Sequence, residues 1–396
     1  MHLDTVFHPR SAPLNVQGAW EEWYGYRAAS VFADFLDIEY SAVRDAVGVI
    51  DVSPLFKYHV SGPDAVRLIG RVTTRDATKL QVGQVFYTPW CDERGKLIDD
   101  GTVARLDDDT YRWTAAEPNH RWLSLNTAGL DVRVDDISAE VAALAVQGPF
   151  ARAVLEAATG QAWDDLKYFR RRRSSVGGAT VDVSRTGYTG DLGYEVWIDR
   201  GDALGVWDAL FEAGRPFGIR PVGMQALDVL RVEAGLILLG SEFTSVRGAF
   251  SSEQEYSPFE LGFDRLIDLE KPRFVGREAL VEERARGGPP RRLVGLELDW
   301  DGIEAAYERH GIPPVLLPGT LGAPVPAYRN RRQVGKATSM TWSPILKRVV
   351  SLALLRREWA AEGSRVQVEW TVEGTRERVP ATVVPLPFLD LPRKRA

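Results

Sequence analysis

Two short stretches concentrate the side chains able to do chemistry. In GKLIDDGTVARL, residues 95–106, two aspartates adjoin, Asp99 and Asp100, inside a run of β-prone residues. Asp is depleted in strands, and a strand sends successive side chains to opposite faces. One carboxylate then meets solvent and the other the core, where it would act as a general acid, a base or an electrostatic group. The alternative is a turn in which Gly101 supplies backbone freedom. The pattern does not choose between the two carboxylates.

The second stretch is RTGYTGDLGYEVWI, residues 185–198. Gly187, Gly190 and Gly193 recur at three-residue intervals around Tyr188, and a strand-like run follows. The spacing is not that of a dinucleotide fingerprint, and no helix follows to hold a pyrophosphate on its N-terminus. Alternation puts Tyr194, Val196 and Ile198 on one face, Glu195 and Trp197 on the other. Either Glu195 points to water beside Trp197, or it lies on the floor of a pocket beneath an aromatic loop. A buried carboxylate needs partners, and a ligand with several N–H donors would provide them.

The elements that position these residues are legible in outline. A chain of 396 residues exceeds one ordinary core and predicts two or three domains. YHVSGPDAVRLIGRV and LAVQGPFARAVLEAATG both read as strand, Gly-Pro, amphipathic helix, with Pro in the first helical turn and Gly160 ending the second helix. They predict two related α+β subdomains within residues 1–285. Between them, turn clusters at Asp92–Gly95 and Asp107–Thr110 bracket an antiparallel meander. ERARGGPPRRL reads as a linker, and the alternating runs after it predict a small β-barrel or sandwich over residues 292–390.

Composition narrows the function. The net charge of −6 argues against broad nucleic-acid binding, which rests on phosphate neutralisation. Arg170–Arg173 read as a solvated strand end, or else as a site for a polyanionic ligand tail. The five histidines are scattered, which argues against a zinc site, and no metal is expected. The single cysteine, Cys91, fits a reducing cytoplasm. No apolar run is long enough for a membrane helix, and no secretory signal is read at the N-terminus.

Taken in order, VGVIDVSPLFKYHVSGPDA, YTPWCDERGKLIDD, SRTGYTGDLGYEV, MQALDVLRVEAGL, FVGREAL and GKATSMTWSPIL resemble the glycine-cleavage T-protein (aminomethyltransferase) superfamily of tetrahydrofolate-dependent one-carbon transferases. The resemblance runs from Val43 to Phe388 and implies an α+β cloverleaf of three domains with a small C-terminal β-barrel. It implies that Glu195 hydrogen-bonds the pterin of tetrahydrofolate, that Tyr188 and Tyr87 pack along it, and that Leu55 lines the pocket. It implies that Asp100, rather than Asp99, is the acidic residue near folate N5 and the reacting carbon. Where relatives carry polar ligands this chain has Ala115, Ala116 and Leu227, and Leu236 stands in place of a tyrosine.

YSPFELGF and the VEW…VPATVVPLPF ending look more like the folate-dependent O-demethylase branch. The activity implied is therefore transfer of a methyl or methylene group from an N-, O- or S-linked small-molecule donor to N5 of tetrahydrofolate. For an O-linked donor, Tyr24, Tyr26 or Tyr188 would protonate the departing oxygen; packing is the plainer role for these aromatics. Two alternatives stand beside it: a true glycine-cleavage aminomethyltransferase acting on a lipoyl carrier, and a non-catalytic folate-binding or regulatory protein. Neither nucleic acid nor membrane is among the implied partners.

Overall fold

A computed structural model describes residues 2–395. Both echoed segments are strand–Gly-Pro–helix units: strand Phe56–Ser61 feeds helix Ala65–Val72, and strand Val141–Gln147 feeds helix Ala151–Thr159. The glycines at these turns are required. Gly62 and Gly148 have φ of 126° and 128°, and a Cβ there would lie 2.7 Å from the Asp131 carbonyl oxygen and 2.6 Å from that of Ala46. A residue with a side chain fits neither the angle nor the space. Gly160 closes the second helix in the left-handed conformation, at φ 67°.

Each unit belongs to its own sheet. The first has five strands in the order Val85–Cys91, Leu97–Asp107, Thr110–Ala115, Phe56–Ser61, Arg133–Asp136, the first three forming the meander. The second has six: Arg171–Val176, Ala179–Ser184, Gly193–Asp199, Val141–Gln147, Val47–Asp51 and Ile219–Pro221. This sheet is covered on both sides. Tyr194, Val196 and Ile198 pack with Val154, Leu155, Val206 and Leu210 of helices Ala151–Thr159 and Ala203–Gly214. On the opposite face Ile50, Ala143, Ala145 and Trp197 meet Tyr40, Val43, Leu227 and Leu230 of helices Leu36–Asp45 and Met224–Glu233. Burying each such side chain contributes about 1.5–3 kcal/mol.

The third unit is a closed six-stranded barrel running from Arg291–Leu298 to Thr375–Val384. The architecture is thus α+β, a cloverleaf of three domains with a small C-terminal β-barrel. GKATSMTWS, which reads as turn and packing residues in isolation, is the polar seam between the barrel and the rest. From strand Arg332–Ser343, Ser343 Oγ donates to Glu233 at 2.6 Å and Thr338 Oγ1 to Glu242 at 3.0 Å, while Ser339 Oγ accepts from Arg231 at 2.7 Å.

The arginine run departs from a simple solvated strand end. Arg171 is buried and donates to Asp182 at 2.5 Å, and Arg172 stacks 4.1 Å from the Trp163 ring centroid. Arg173, on the same strand, is exposed. Alternation does not explain the split, since Arg171 and Arg173 share a face; Arg171 is buried because Asp182 and the Leu106 carbonyl take its guanidinium. Among the described residues no helix is long and apolar enough to cross a membrane, and no group of three or more His, Cys, Asp or Glu could hold a metal ion.

Candidate active site

The aspartate pair lies within strand Leu97–Asp107, not in a turn. Neither carboxylate sits in open solvent, contrary to the expectation for one of them. Asp99 is fully buried and saturated by protein donors: Glu117 N–H at 2.9 Å, Asn119 Nδ2 at 2.8 Å and Asp100 N–H at 2.7 Å. It ties down the loop after strand Thr110–Ala115. Asp100 accepts the Tyr87 hydroxyl and keeps partial exposure.

Burial pushes Asp100 up to about 6, the Tyr87 hydrogen bond opposing the rise. Burial and then the neighbouring Asp100 charge push Asp99 well above the usual carboxylate range, with backbone N–H groups opposing. Two adjacent carboxylates out of water ionise as a pair, each resisting the other. Gly101 is needed for strand pairing rather than for a turn: a Cβ there would lie 2.0 Å from the Thr114 carbonyl oxygen.

Glu195 and Tyr87 both stay partly exposed although each is flanked in sequence by buried residues. Glu195 thus keeps some access where its strand neighbours are closed off, and Trp197 beside it is only 4% exposed. Thr186 Oγ1 donates to Glu195 Oε2 at 2.6 Å, Thr186 and Ser184 share a hydrogen bond of 2.8 Å, and Trp197 Nε1 donates to Ser184 at 3.1 Å. Burial raises the Glu195 carboxyl, while Thr186 and the nearby Arg112 charge pull it down. Arg112 itself stacks 4.0 Å from the Trp197 ring centroid and donates to Asp182 at 2.6 Å. That pair joins the two sheets, since Arg112 belongs to the first and Asp182 to the second.

Tyr188 donates its hydroxyl to the Ile237 carbonyl. It packs in one cluster with Leu55, Trp197 and Leu227, and its hydroxyl lies within electrostatic reach of Asp100 and of Tyr87. The Tyr87 ring meets Phe263 edge-on at 5.7 Å. The Leu55 carbonyl is held by the buried Lys57 Nζ at 2.7 Å, an amine that burial pushes down to about 8. Asp100, Tyr87 and Tyr188 thus converge, Leu55 packs beside Tyr188, and Glu195 lies on the strand of Trp197, which shares that cluster. Ala115 and Leu227 are 1% and 5% exposed and pack in separate apolar clusters, Leu227 in that of Tyr188 and Leu55.

Several neighbours escape a reading by motif. Tyr24 and Gly25 form the two-residue loop of the hairpin Trp20–Trp23 and Tyr26–Ala29, both with positive φ, 46° and 85°. That is the type I′ pattern, for which Asn or Gly is usual. The bulky Tyr24 sits there with its ring 5.6 Å from Phe56, and burial raises its hydroxyl, reinforced by Glu117, Asp99 and Asp100. Tyr26, by contrast, lines a separate small crevice with Thr5, Ser53 and Arg200. Arg231 is buried between Asp228 at 2.6 Å and Glu242 at 2.7 Å. Arg247 donates to Asn119 at 2.9 Å and so backs the Asp99 side. For Arg112 the signal was present: an arginine between Tyr111 and Trp113 inside a strand has to find a partner.

Residues 8–271 match the GCVT N-terminal domain, and residues 291–390 match the glycine cleavage T-protein C-terminal barrel domain. The chain belongs to the glycine cleavage T-protein family. An aminomethyltransferase of Symbiobacterium thermophilum is 36% identical over 369 residues, covering 90% of this chain and 90% of that protein. Trimethylamine-oxide aldolase of Ruegeria pomeroyi is 36% identical over 409 residues and covers 100% of this chain. This chain spans about half, 48%, of that relative's length. In fold, it matches the glycine cleavage system aminomethyltransferase T of Bartonella henselae with a TM-score of 0.82, at 24% identity, over 98% of this chain and 99% of that one.

The family implies a folate cofactor, and the donor set fits one. A carboxylate raised by burial, with hydroxyl partners and no bonded cation, complements an N–H edge. Tyr188, Leu55 and Leu227 give flat and aliphatic surface of the kind a ring buries against.

Proposed function

We propose that this chain transfers a methyl or methylene group from an N-, O- or S-linked small-molecule donor to N5 of tetrahydrofolate. The observation that carries the reading is the division of labour between the two aspartates. Asp99 is consumed by three protein N–H groups, whereas Asp100 has one phenol and remains accessible. Tetrahydrofolate, when bound, supplies the amine nitrogen that accepts the carbon. Glu195 would bind its N–H edge, Tyr188 and Tyr87 would pack along it, and Leu55 would close the apolar side.

Asp100 then orients the donor and stabilises positive charge that develops as the carbon leaves. Alignment of this kind reaches several kcal/mol, and a positioned acid or base adds roughly 10²–10⁴-fold. Burial and then the acidic surroundings raise the Tyr24 phenol, which stays protonated and so can offer its O–H to a departing oxygen as a hydrogen bond. Tyr188 is already committed to Ile237. A second reading, aminomethyl transfer from a lipoyl carrier, is favoured by relatives named aminomethyltransferase. We further take residues 1–285 as the folate-binding region and 292–390 as the barrel domain, and a cytoplasmic setting, which the buried Cys91 thiol suits.

The test is turnover of tetrahydrofolate against a panel of N-, O- and S-methyl donors and against a lipoyl carrier. Asp100→Ala should abolish turnover and leave folate affinity within about threefold, since Asp100 acts on the reacting carbon rather than on binding. Near-normal turnover in that variant would remove Asp100 from the mechanism. Folate binding with no turnover of any donor would favour a regulatory protein.

A further inference from the structure

Beyond the last barrel strand, residues 385–395 run back across the protein. Leu386 and Phe388 pack beside Val232, Val350 and Leu352. Leu389 N–H donates to the Glu233 carbonyl at 2.9 Å. Gly235, at φ 66°, lets the segment pass: a Cβ there would lie 3.2 Å from Pro387 Cα. Within it, Arg393 Nε and Nη2 reach Asp191 Oδ1 and Oδ2 at 2.7 and 2.8 Å, while Nη2 also meets the Arg44 carbonyl at 2.7 Å. Asp191 has a fully buried side chain; that of Arg393 is 37% exposed. A bidentate guanidinium on a buried carboxylate is a strong and directional contact.

Both anchor points lead to Tyr188. Asp191 closes the loop that carries it: Asp191 Oδ1 accepts Leu192 N–H at 2.8 Å, and Arg44 Nη1 bridges Asp191 at 3.1 Å to the Thr189 carbonyl at 3.0 Å. Gly235, beneath Pro387, lies two residues before Ile237, whose carbonyl takes the Tyr188 hydroxyl. The segment therefore holds Asp191, three residues after Tyr188, at one end and passes over Gly235, two residues before the acceptor of its hydroxyl, at the other.

We propose that residues 385–395 form a strap and that Arg393 is a positioning residue, setting Tyr188 for ligand through Asp191. The proposal rests on the folate reading of the site around Tyr188. Coupling of this kind is reciprocal: occupancy of the site holds the strap down by as much as the strap improves binding.

The experiment measures tetrahydrofolate affinity, steady-state kinetics and amide hydrogen exchange on wild type, Arg393→Ala and Arg393→Lys. The strap predicts that Arg393→Ala weakens tetrahydrofolate by about tenfold and raises its KM in proportion, with kcat at saturating folate within about twofold of wild type. Arg393→Lys recovers part of the loss, because it keeps the charge without the fork. Exchange over residues 186–192 speeds up in Arg393→Ala, and tetrahydrofolate slows exchange over 385–395 in wild type. If wild type binds folate and Arg393→Ala matches it in affinity and in loop exchange, the strap is overturned and the folate reading stands. If wild type does not bind folate, that reading fails, and exchange alone decides: faster exchange over 186–192 in Arg393→Ala upholds the positioning role, and unchanged exchange overturns it.

Discussion

Replacing Asp100 by Asn should make the protein more stable, and only where Asp100 would be ionised. The carboxyl moves from an ordinary 3.8 to about 6 on folding, mainly through burial. An acid whose folded value lies above its unfolded one keeps its proton longer in the native state, so stability falls as pH rises. The cost is absent below about 3.8, grows through about 6, and is complete above it. At 1.36 kcal/mol per pH unit it amounts to about 3 kcal/mol. Asn keeps the shape and still accepts the Tyr87 hydroxyl, and it relieves Asp99 of a neighbouring charge. The gain above about pH 7 should be about 2–3 kcal/mol, or several degrees in the melting temperature of the domain concerned. Scanning calorimetry on both proteins between about pH 4 and pH 8 reads it. The curves should converge at the acid end and separate towards neutrality, the variant melting higher. A variant that is less stable at every pH, or a separation independent of pH, would refute the assignment of a buried, reluctantly ionised carboxylate.

Other outcomes follow from the same geometry. Wild-type kcat/KM should rise with pH through about 6 and then level, if the Asp100 carboxylate is the working form; a profile flat from about 5 to 8 contradicts this. Tyr24→Asn places a residue suited to the left-handed turn, so stability should hold or rise, yet turnover of O-linked donors should drop about 100-fold or more. Equal turnover in that variant would return Tyr24 to a packing role. Gly101→Ala should cost at least about 2 kcal/mol in urea denaturation, because its Cβ collides with the Thr114 carbonyl. Glu233→Ala should cost about 3–5 kcal/mol, since it leaves the buried Arg44 without its 2.7 Å partner and frees Tyr40 and Ser343.

What the sequence discloses depends on how local the cause is. The two Gly-Pro turns, the Gly160 cap and the barrel strands are set by residues a few positions apart, and the structure has them where propensity and alternation put them. Alternation also sorted Tyr194, Val196 and Ile198 from Glu195 and Trp197. It failed at Asp99 and Asp100, because alternation assigns faces and not what covers them. The contacts that distinguish the two carboxylates come from Tyr87 and from the 117–119 loop. Arg112 and Asp182 are 70 positions apart, and the hydroxyls of Thr338, Ser339 and Ser343 meet partners about 100 positions away. No local pattern encodes such pairs. Tyr24 was visible as part of an aromatic cluster, but its contact with Phe56 and its place within reach of the carboxylates are fixed by how the hairpin docks.

The most direct test of the central claim is a tryptophan-fluorescence titration with tetrahydrofolate on wild type and on Glu195→Ala, checked by calorimetry. Trp197 adjoins the Ser184, Thr186 and Glu195 chain and should report occupancy. Saturable binding that weakens about 10- to 100-fold in the variant is predicted, the value of a hydrogen-bonded charge. No binding by wild type, or equal binding by the variant, would contradict the assignment of this site to folate.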